Sequence, residues 1–158
     1  MREECCRAYA ELCPPDLRHT VAAGVEQLLA WLSHQAEIEL GLLTGNYEPV
    51  ARLKLSRAGI GKYFGAGLGA FGSDSEDRAA LPAIARRRAG MRGTPHERGR
   101  TVVIGDTPRD IACARADGLR CIAVASGPYG ADQLSEADAV VHDARGLQAA
   151  LAERIVAG

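Results

Sequence analysis

The sequence has few aromatic residues, no excess of either charge and no long apolar segment. Aromatic residues make up 4% of the 158 residues, which argues against a surface that stacks nucleic-acid bases. Nineteen basic residues oppose 20 acidic residues, for a formal net charge of -1, so the whole chain has no electrostatic preference for nucleic acid or anionic membranes. No apolar run approaches the roughly 20 residues that span a bilayer. We therefore expect neither nucleic acid nor a membrane as partner.

The five cysteines and four histidines show no pattern typical of disulfides or metal sites. The cysteines are odd in number and form no CxxC pair, and the histidines are scattered. The amino terminus has no basic cluster followed by an apolar segment, which a secretory signal would require. These features predict reduced thiols in a cytoplasmic protein. No feature of the sequence indicates an oligomeric state.

Short apolar runs alternate with amphipathic helical segments along the chain. This order predicts an α/β fold in which helices cover both faces of a parallel sheet, a three-layer Rossmann-like arrangement. A chain of this length suits one domain. The predicted strands are residues 38–43, 66–71, 101–104, 121–125 and 139–141.

Two helix starts are predicted from capping residues. Asn46 is expected to cap a helix over residues 47–58. Ser73 and Glu76 have the spacing of a capping box for a helix that reaches residue 89. Pro82 inside that helix predicts either a kink or a later start.

The segment TVVIGDTPRD, residues 101–110, places two carboxylates after a buried strand. Asp106 follows the strand directly, and Asp110 falls in the first turn of a helix that Thr107 caps and Pro108 begins. Ligands of open α/β sheets bind at this edge, and carboxylates about one turn apart suit Mg²⁺. Asp106 is expected to be buried and so to need a compensating cation. Asp110 has an alternative role, because it could simply complete the cap.

A second strand-to-helix turn, LLTGN at residues 42–46, offers groups that bind anions. The Thr44 hydroxyl and the Gly45 amide can donate to a phosphate oxygen at a helix N-terminus, with Asn46 beside them. Such turns often contain Thr and Gly for local reasons alone. It is the combination of this turn with the acidic turn that carries Asp106 and Asp110 that predicts a binding site for a small phosphorylated metabolite.

These two motifs, together with VARLKLSRAGIGKYF and the tail SEADAVV, resemble the haloacid dehalogenase superfamily, and most closely its phosphoglycolate-phosphatase-like branch. The likeness extends from residue 22 onward. It implies a Rossmann-like core at residues 16–158, preceded by the remnant of a helical cap at residues 1–15. It also implies a Mg²⁺-dependent phosphatase that acts on a small phosphate monoester through an aspartyl-phosphate. Thr44 would bind the phosphoryl group, and Asp106 and Asp110 would hold Mg²⁺.

The resemblance further implies a basic residue that neutralises charge on the phosphoryl oxygens. Arg78, after GSDSED, and Lys54, two turns into the helix after Thr44, are the candidates for this catalytic role. The position in the sequence favours Arg78. An arginine presents a planar fork to two oxygens, whereas a lysine presents a compact charge. Either residue could instead be an ordinary solvated helix charge.

The family's nucleophile is an aspartate in a DxDxT-like motif on the first strand, and no such segment precedes residue 22. Asp16 in DLRHT imitates the spacing, but the preceding ELCPP has two prolines and no apolar run, which excludes a buried strand. We therefore expect the first strand and most of the cap to be missing. The sheet would then have either a gap or an altered pairing, and the chain alone is expected to be inactive.

Three functions are compatible with these observations. The first is a phosphohydrolase whose nucleophile lies on sequence outside this chain. The second is a non-catalytic phosphate-binding or interaction module that keeps Thr44, Asp106 and Asp110 as a vestigial pocket. The third, nucleic-acid binding through the six arginines between residues 86 and 100, is the weakest, because charge runs are usually solvated faces. A DxDxT-like segment upstream would favour the first.

Overall fold

The computed structural model describes residues 2–156, in which helices alternate with short parallel strands. The elements are α1 (Arg2–Leu12), α2 (Val25–Ser33), β1 (Leu43–Thr44), α3 (Glu48–Arg57), β2 (Ala70–Phe71), α4 (Leu81–Ala89), β3 (Val102–Gly105), α5 (Pro108–Ala116), β4 (Arg120–Val124), β5 (Ala139–Val141) and α6 (Ala144–Val156). Single 3-10 turns lie between them at Arg18–Thr20, Gly61–Tyr63, Arg78–Ala80, Arg98–Arg100 and Ala131–Leu134. The predicted α/β class is confirmed.

The strands form two parallel sheets. β1 pairs with β2, and β3, β4 and β5 form a separate sheet in that order. The prediction that residues 38–43 belong to the same sheet as the later strands is therefore wrong, because only Leu43 of that segment pairs, opposite Ala70. An extended segment becomes a strand only where a neighbour supplies ladder hydrogen bonds. Within residues 2–156 β1 and β3 are not paired with each other, so a gap separates the two sheets; that a strand is missing there stays a prediction.

The two sheets nevertheless share the same two apolar layers. On one face Leu43 packs against the cluster that contains Val103 and residues of α5. On the other face Ile38 and Leu40 pack against the cluster built from α2, β4 and α6. Side chains of an extended segment alternate between faces in this way, so residues 38–44 run in the plane of the sheet. Helices cover both faces, as the three-layer prediction requires.

The gap leaves β3 with an open edge. Among the described residues β3 pairs with β4 alone, and Ile104 is 43% exposed. By contrast β4, which has a neighbour on each side, buries Cys121, Ile122 and Ala123 completely. An unpaired strand edge presents backbone donors and acceptors that a further strand could satisfy.

The predicted strand at residues 66–71 is shorter in the structure. Only Ala70 and Phe71 pair, because Gly67 and Gly69 have φ values of +80° and +92°, which lie outside the extended region. The chain therefore turns through this glycine-rich segment and is extended only beside β1.

Both predicted helix starts need correction. α3 begins at Glu48 with Tyr47 at the N-cap and no side-chain cap bond, so Asn46 does not cap it. Ser73 forms no capping box, and its hydroxyl instead accepts from the Glu48 amide at 3.3 Å. Asp77 caps the 3-10 turn that precedes α4, and α4 starts late, with Pro82 in its first turn. The later start is the alternative that fits the restriction on proline.

The amino-terminal helix α1 is fastened to the far end of α3. The Arg57 guanidinium donates to the carbonyls of Ala10 and Cys13, which are helix-end carbonyls without intrahelical partners, and to that of Pro14 just beyond the helix. The Leu17 amide donates to the Arg57 carbonyl at 3.0 Å. The division into a cap remnant and a core stays a prediction.

Candidate active site

The turn between β3 and α5 holds its two carboxylates in different ways. The predicted cap is confirmed as a capping box, in which the Thr107 hydroxyl accepts from the Asp110 amide and Asp110 Oδ2 accepts from the Thr107 amide at 3.1 Å. Asp110 Oδ2 also accepts from the Asp106 amide at 3.2 Å. Asp110 is 7% exposed, whereas Asp106 is exposed. The expectation that Asp106 is buried is wrong, because the turn lies at the open end of the sheet.

Gly105 allows the Asp110 side chain to fold back onto the end of β3. A Cβ atom at this position would overlap the Cβ and the carboxyl group of Asp110. The capping box and the Asp106 amide contact both depend on that close approach. Glycine at the end of the strand is therefore required by the site's geometry.

We expect Gly105→Ala to destabilise the fold by about 1–3 kcal/mol, since the methyl group must displace a buried, fully hydrogen-bonded carboxylate. Urea unfolding followed by circular dichroism measures this change. Gly130→Ala is the matched control, because a Cβ there meets no atom within 4 Å and the φ of -78° suits any residue. Equal stability of the two variants would contradict the prediction.

Arg78 connects the two predicted motifs. Its guanidinium donates through Nη2 to Asp110 Oδ1, and its Nη1 lies 3.8 Å from the position that a Cβ on Gly45 would occupy. The Nε atom of Arg78 is buried and has no hydrogen-bond partner in residues 2–156. The backbone is held as well, because the Cys113 thiol donates to the Arg78 carbonyl at 3.0 Å. Arg78 thus lies between the two turns with a buried Nε–H group that no described residue accepts from.

The LLTGN turn packs closely on the turn that follows β2. The Gly72 amide donates to the Asn46 carbonyl at 2.9 Å, and a Cβ on Gly72 would overlap the Gly45 carbonyl. Thr44 Oγ1 accepts from the Asn46 amide at 3.1 Å and from Asn46 Nδ2 at 3.2 Å. The turn is therefore fixed by backbone contacts, with Thr44 half-buried and Gly45 exposed at its tip.

Lys54 lies away from this arrangement. Its Nζ atom stands 5.1 Å from the centroid of the Tyr9 ring in α1, a cation-π distance. The structure therefore brings Arg78, and not Lys54, between the Thr44 turn and the acidic turn. Which of the two neutralises a phosphoryl group stays a prediction.

Asp16, which imitates the nucleophile motif, is also remote. It is exposed and accepts from the Arg18 amide at 2.9 Å in a local turn. The neighbouring Leu17 contacts Arg57 at the last residue of α3, whereas Thr44 precedes the first turn of the same helix. A ten-residue helix is about 15 Å long, so Asp16 and Thr44 lie at opposite ends of α3.

Two buried thiols near the site are unsuited to nucleophilic attack. Burial raises the pKa of the Cys113 thiol, although the nearby Arg78 acts in the opposite direction. Burial likewise raises the pKa of Cys121 to about 11. Because the thiolate is the nucleophilic form of cysteine, neither thiol offers an alternative nucleophile at neutral pH.

The acidic turn offers one uncommitted carboxylate to a cation. Asp110 uses Oδ2 in the capping box and Oδ1 for Arg78. The Asp106 carboxylate accepts no hydrogen bond from the part of the chain that the structure describes. In residues 2–156 no three His, Cys, Asp or Glu side chains are grouped so as to hold a metal ion. The arrangement fits Mg²⁺ that keeps most of its waters, since one or two carboxylates suffice for this ion.

Gly127, in the loop after β4, is a site residue that the sequence patterns did not reveal. A Cβ on it would lie 3.1 Å from Asp106 Oδ2, so this loop borders the exposed carboxylate. A glycine between Ser126 and Pro128 is an ordinary loop residue in sequence. Only the parallel pairing of β3 with β4 places that loop beside Asp106.

The arginines between residues 86 and 100 are largely neutralised within the fold. Arg86 and Arg98 pair with Asp117, Arg88 pairs with Asp74, and Arg100 lies 3.6 Å from Glu37. These ion pairs reduce the positive charge that the arginines can offer to a polyanion such as nucleic acid.

Residues 2–156 contain no helix with the length and apolarity that a membrane crossing demands.

Comparison with known proteins identifies similar sequences and folds. Residues 1–115 match the family model described as haloacid dehalogenase-like hydrolase. The fold is similar to the crystal structure of a haloacid dehalogenase-like protein of unknown function from Agrobacterium tumefaciens, with a TM-score of 0.65 and 21% sequence identity. The similarity covers 84% of this chain and 60% of that protein, so the chain spans less than two thirds of that protein's length. No curated protein matches the sequence.

Proposed function

Because the chain belongs to the haloacid dehalogenase-like hydrolase family, we propose that it provides most of a Mg²⁺-dependent phosphatase of the phosphoglycolate-phosphatase-like branch. The substrate would be a small phosphate monoester. The observation that carries the proposal is the position of Arg78, whose guanidinium donates to the Asp110 carboxylate and lies close to Gly45. One anion held there would meet donors from Thr44, Gly45 and Arg78.

Each group has a distinct task in this proposal. The Thr44 hydroxyl and the Gly45 amide donate to phosphoryl oxygens, and Arg78 neutralises the negative charge that collects on them. Asp106 would hold Mg²⁺, which supplies Lewis-acid polarisation of the phosphoryl group when bound. Asp110 fixes the direction of Arg78 and the backbone of the Asp106 turn. These residues position and neutralise a phosphoryl group, but none of them is placed to attack phosphorus.

The nucleophile in this proposal is an aspartate on a strand that fills the gap between β1 and β3. The open edge of β3 and the exposure of Ile104 support a further strand at that place. The aspartate oxygen would bond to phosphorus as the ester P–O bond breaks, and the leaving oxygen would take a proton from the second aspartate of the DxDxT-like motif, which regains one from the attacking water in the next step. Attack by water on the aspartyl-phosphate would then release phosphate and restore the carboxylate.

We expect this chain to bind Mg²⁺ weakly. Asp106 supplies one free carboxylate, because the oxygens of Asp110 are already engaged, and each carboxylate that is lost removes attraction for a hard cation. Calorimetric titration should show no saturation in the micromolar range, and Asp106→Asn should abolish the residual heat. Tight binding by the unmodified chain would contradict the prediction.

The phosphate site itself is tested by titrating inorganic phosphate into the ¹⁵N-labelled chain. Amide shifts should be concentrated at residues 44–46, 78 and 105–107. Thr44→Val should weaken binding about tenfold, as expected for the loss of a hydrogen bond to a charged group. Lys54→Met is the matched control and should bind normally, because Lys54 lies over Tyr9. A loss in the control equal to that in Thr44→Val would contradict the proposed site.

The alternative function is a non-catalytic module that binds phosphate through the same residues. The observation in its favour is that Asp110, a predicted metal ligand, is committed to the capping box and to Arg78. Phosphate binding is expected under both functions. Recovery of activity when a segment with a DxDxT-like motif is joined upstream would favour the enzyme, and continued inactivity would favour the module.

A further inference from the structure

The Asn46 side chain has one hydrogen bond in the described part of the chain, and it goes to Thr44. Nδ2 of Asn46 donates to Thr44 Oγ1 at 3.2 Å. The expected use of this side chain, capping α3, does not occur, because Tyr47 occupies the N-cap position. The backbone of Asn46 is fixed separately by the Gly72 amide. The side chain therefore does not cap the helix, and its contact within the turn is with the Thr44 hydroxyl.

The bonding capacity of the Thr44 hydroxyl suggests a role for the Asn46 side chain. A hydroxyl has a single donor hydrogen and two acceptor positions. The Asn46 amide and the Asn46 side chain fill both acceptor positions, at 3.1 and 3.2 Å. The only remaining capacity of Oγ1 is to donate its hydrogen. No described residue accepts that hydrogen, so the donor is left for a ligand.

We propose that Asn46 is a positioning residue, which acts on the substrate anion through Thr44 and not by direct contact. This role rests on the phosphate site proposed above, in which the contact from Asn46 makes the Thr44 hydroxyl a hydrogen-bond donor. By filling both lone-pair positions, Asn46 prevents Thr44 from acting as an acceptor and orients its hydrogen toward the anion before it binds. Pre-orientation of this kind avoids reorganisation when charge develops on the bound group. The contact between Asn46 and Thr44 therefore favours a ligand that accepts a hydrogen bond, such as an anion, at the Thr44 hydroxyl.

The test is a double-mutant cycle on the affinity for inorganic phosphate, measured by NMR titration of the full chain. Asn46→Ala removes the side-chain donor but keeps the backbone amide that also contacts Thr44. We expect it to weaken phosphate binding about threefold to tenfold, the range for loss of one neutral hydrogen bond. In the Thr44→Val background the same substitution should have no further effect, because the hydroxyl through which it acts is gone.

Controls separate this role from a structural one. Asn46 is exposed, so the variants should give the same dispersed spectrum as the unmodified chain, and Asn46→Ser provides a second variant without the amide donor. Thr44→Ser, which keeps a hydroxyl, should retain the sensitivity to Asn46→Ala. A merely structural role of Asn46 would weaken binding by the same factor with or without the Thr44 hydroxyl.

The possible results distinguish two failures. If Asn46→Ala weakens binding equally in the Thr44→Val background, or has no effect in the unmodified chain, the positioning role is overturned while the phosphate site stands. If Thr44→Val binds phosphate as well as the unmodified chain, or the unmodified chain shows no saturable binding, the proposed function is overturned and the inference with it.

Discussion

With p-nitrophenyl phosphate and Mg²⁺, the chain is expected to show no more turnover than its Asp106→Asn variant. Thr44 and Arg78 can hold and neutralise a phosphoryl group, but neither supplies a carboxylate nucleophile, and the thiols of Cys113 and Cys121 are kept protonated by burial. Without a covalent intermediate the barrier is not divided into two smaller ones. Losing the central member of a catalytic set typically lowers the rate on the order of 10⁴-fold or more.

Asp16→Asn is the control for a nucleophile that the patterns missed. Asp16 lies at the opposite end of α3 from Thr44, so its substitution should leave the background rate unchanged. Robust hydrolysis that disappears in Asp106→Asn would show that an attacking group is present in this chain. If Asp16→Asn also removed that activity, residues 16–20 would have to rearrange toward the site.

Asp117→Ala is expected to lower the free energy of unfolding by about 3–5 kcal/mol, the cost of leaving a buried charge without its partner. Asp117 accepts from Arg86 Nε at 2.7 Å and from Arg98 Nη2 at 2.9 Å. Arg86 and Asp117 are 7% and 8% exposed, so little water can replace the lost carboxylate. Thermal unfolding followed by circular dichroism should show a Tm lower by about 10 °C.

Arg98→Ala is the matched control on the same carboxylate. The Arg98 side chain is 59% exposed, and removing an exposed partner typically costs less than about 1 kcal/mol. A loss as large as that of Asp117→Ala would show that the exposed pair, and not the buried one, dominates this network.

The same network predicts a dependence of stability on pH. Hydrogen bonds from Arg86, with a smaller contribution from Arg98, lower the pKa of Asp117 from its usual 3.8. A carboxyl whose pKa is lower in the folded state stabilises the fold above its ordinary pKa, and this contribution is lost as the pH falls through the lower value. Asp117→Asn should remove that part of the acid dependence below about pH 4. Parallel unfolding curves from pH 5 to pH 2.5 would measure the difference.

Some predictions from residues close together in the chain are confirmed, because those interactions are decided locally, whereas the caps predicted at Asn46 and Ser73 are wrong. The cap of α5 by Thr107 and Asp110 follows from a spacing of three residues, and the late start of α4 follows from the restriction that Pro82 places on a helix. The alternation of apolar runs likewise determined the parallel α/β class. The strand ends at Thr44 and Gly105 were located to within one or two residues for the same reason.

Only the tertiary structure decided which partner each of these elements meets. Residues 38–42 have a strand's alternation, yet they remain unpaired on the side toward β3, because a ladder requires a neighbour from elsewhere in the chain. The sequence favours Arg78 over Lys54 by position alone, and the packing of α5 and α1 places Arg78 against Asp110 and Lys54 over Tyr9. Asp106 is exposed because its access to water depends on which distant segments pack beside the end of β3. The spacing of residues within the motif does not contain that information. The sequence by itself determined the elements and the residue types at their ends, and the long-range contacts determined which of those residues form a site.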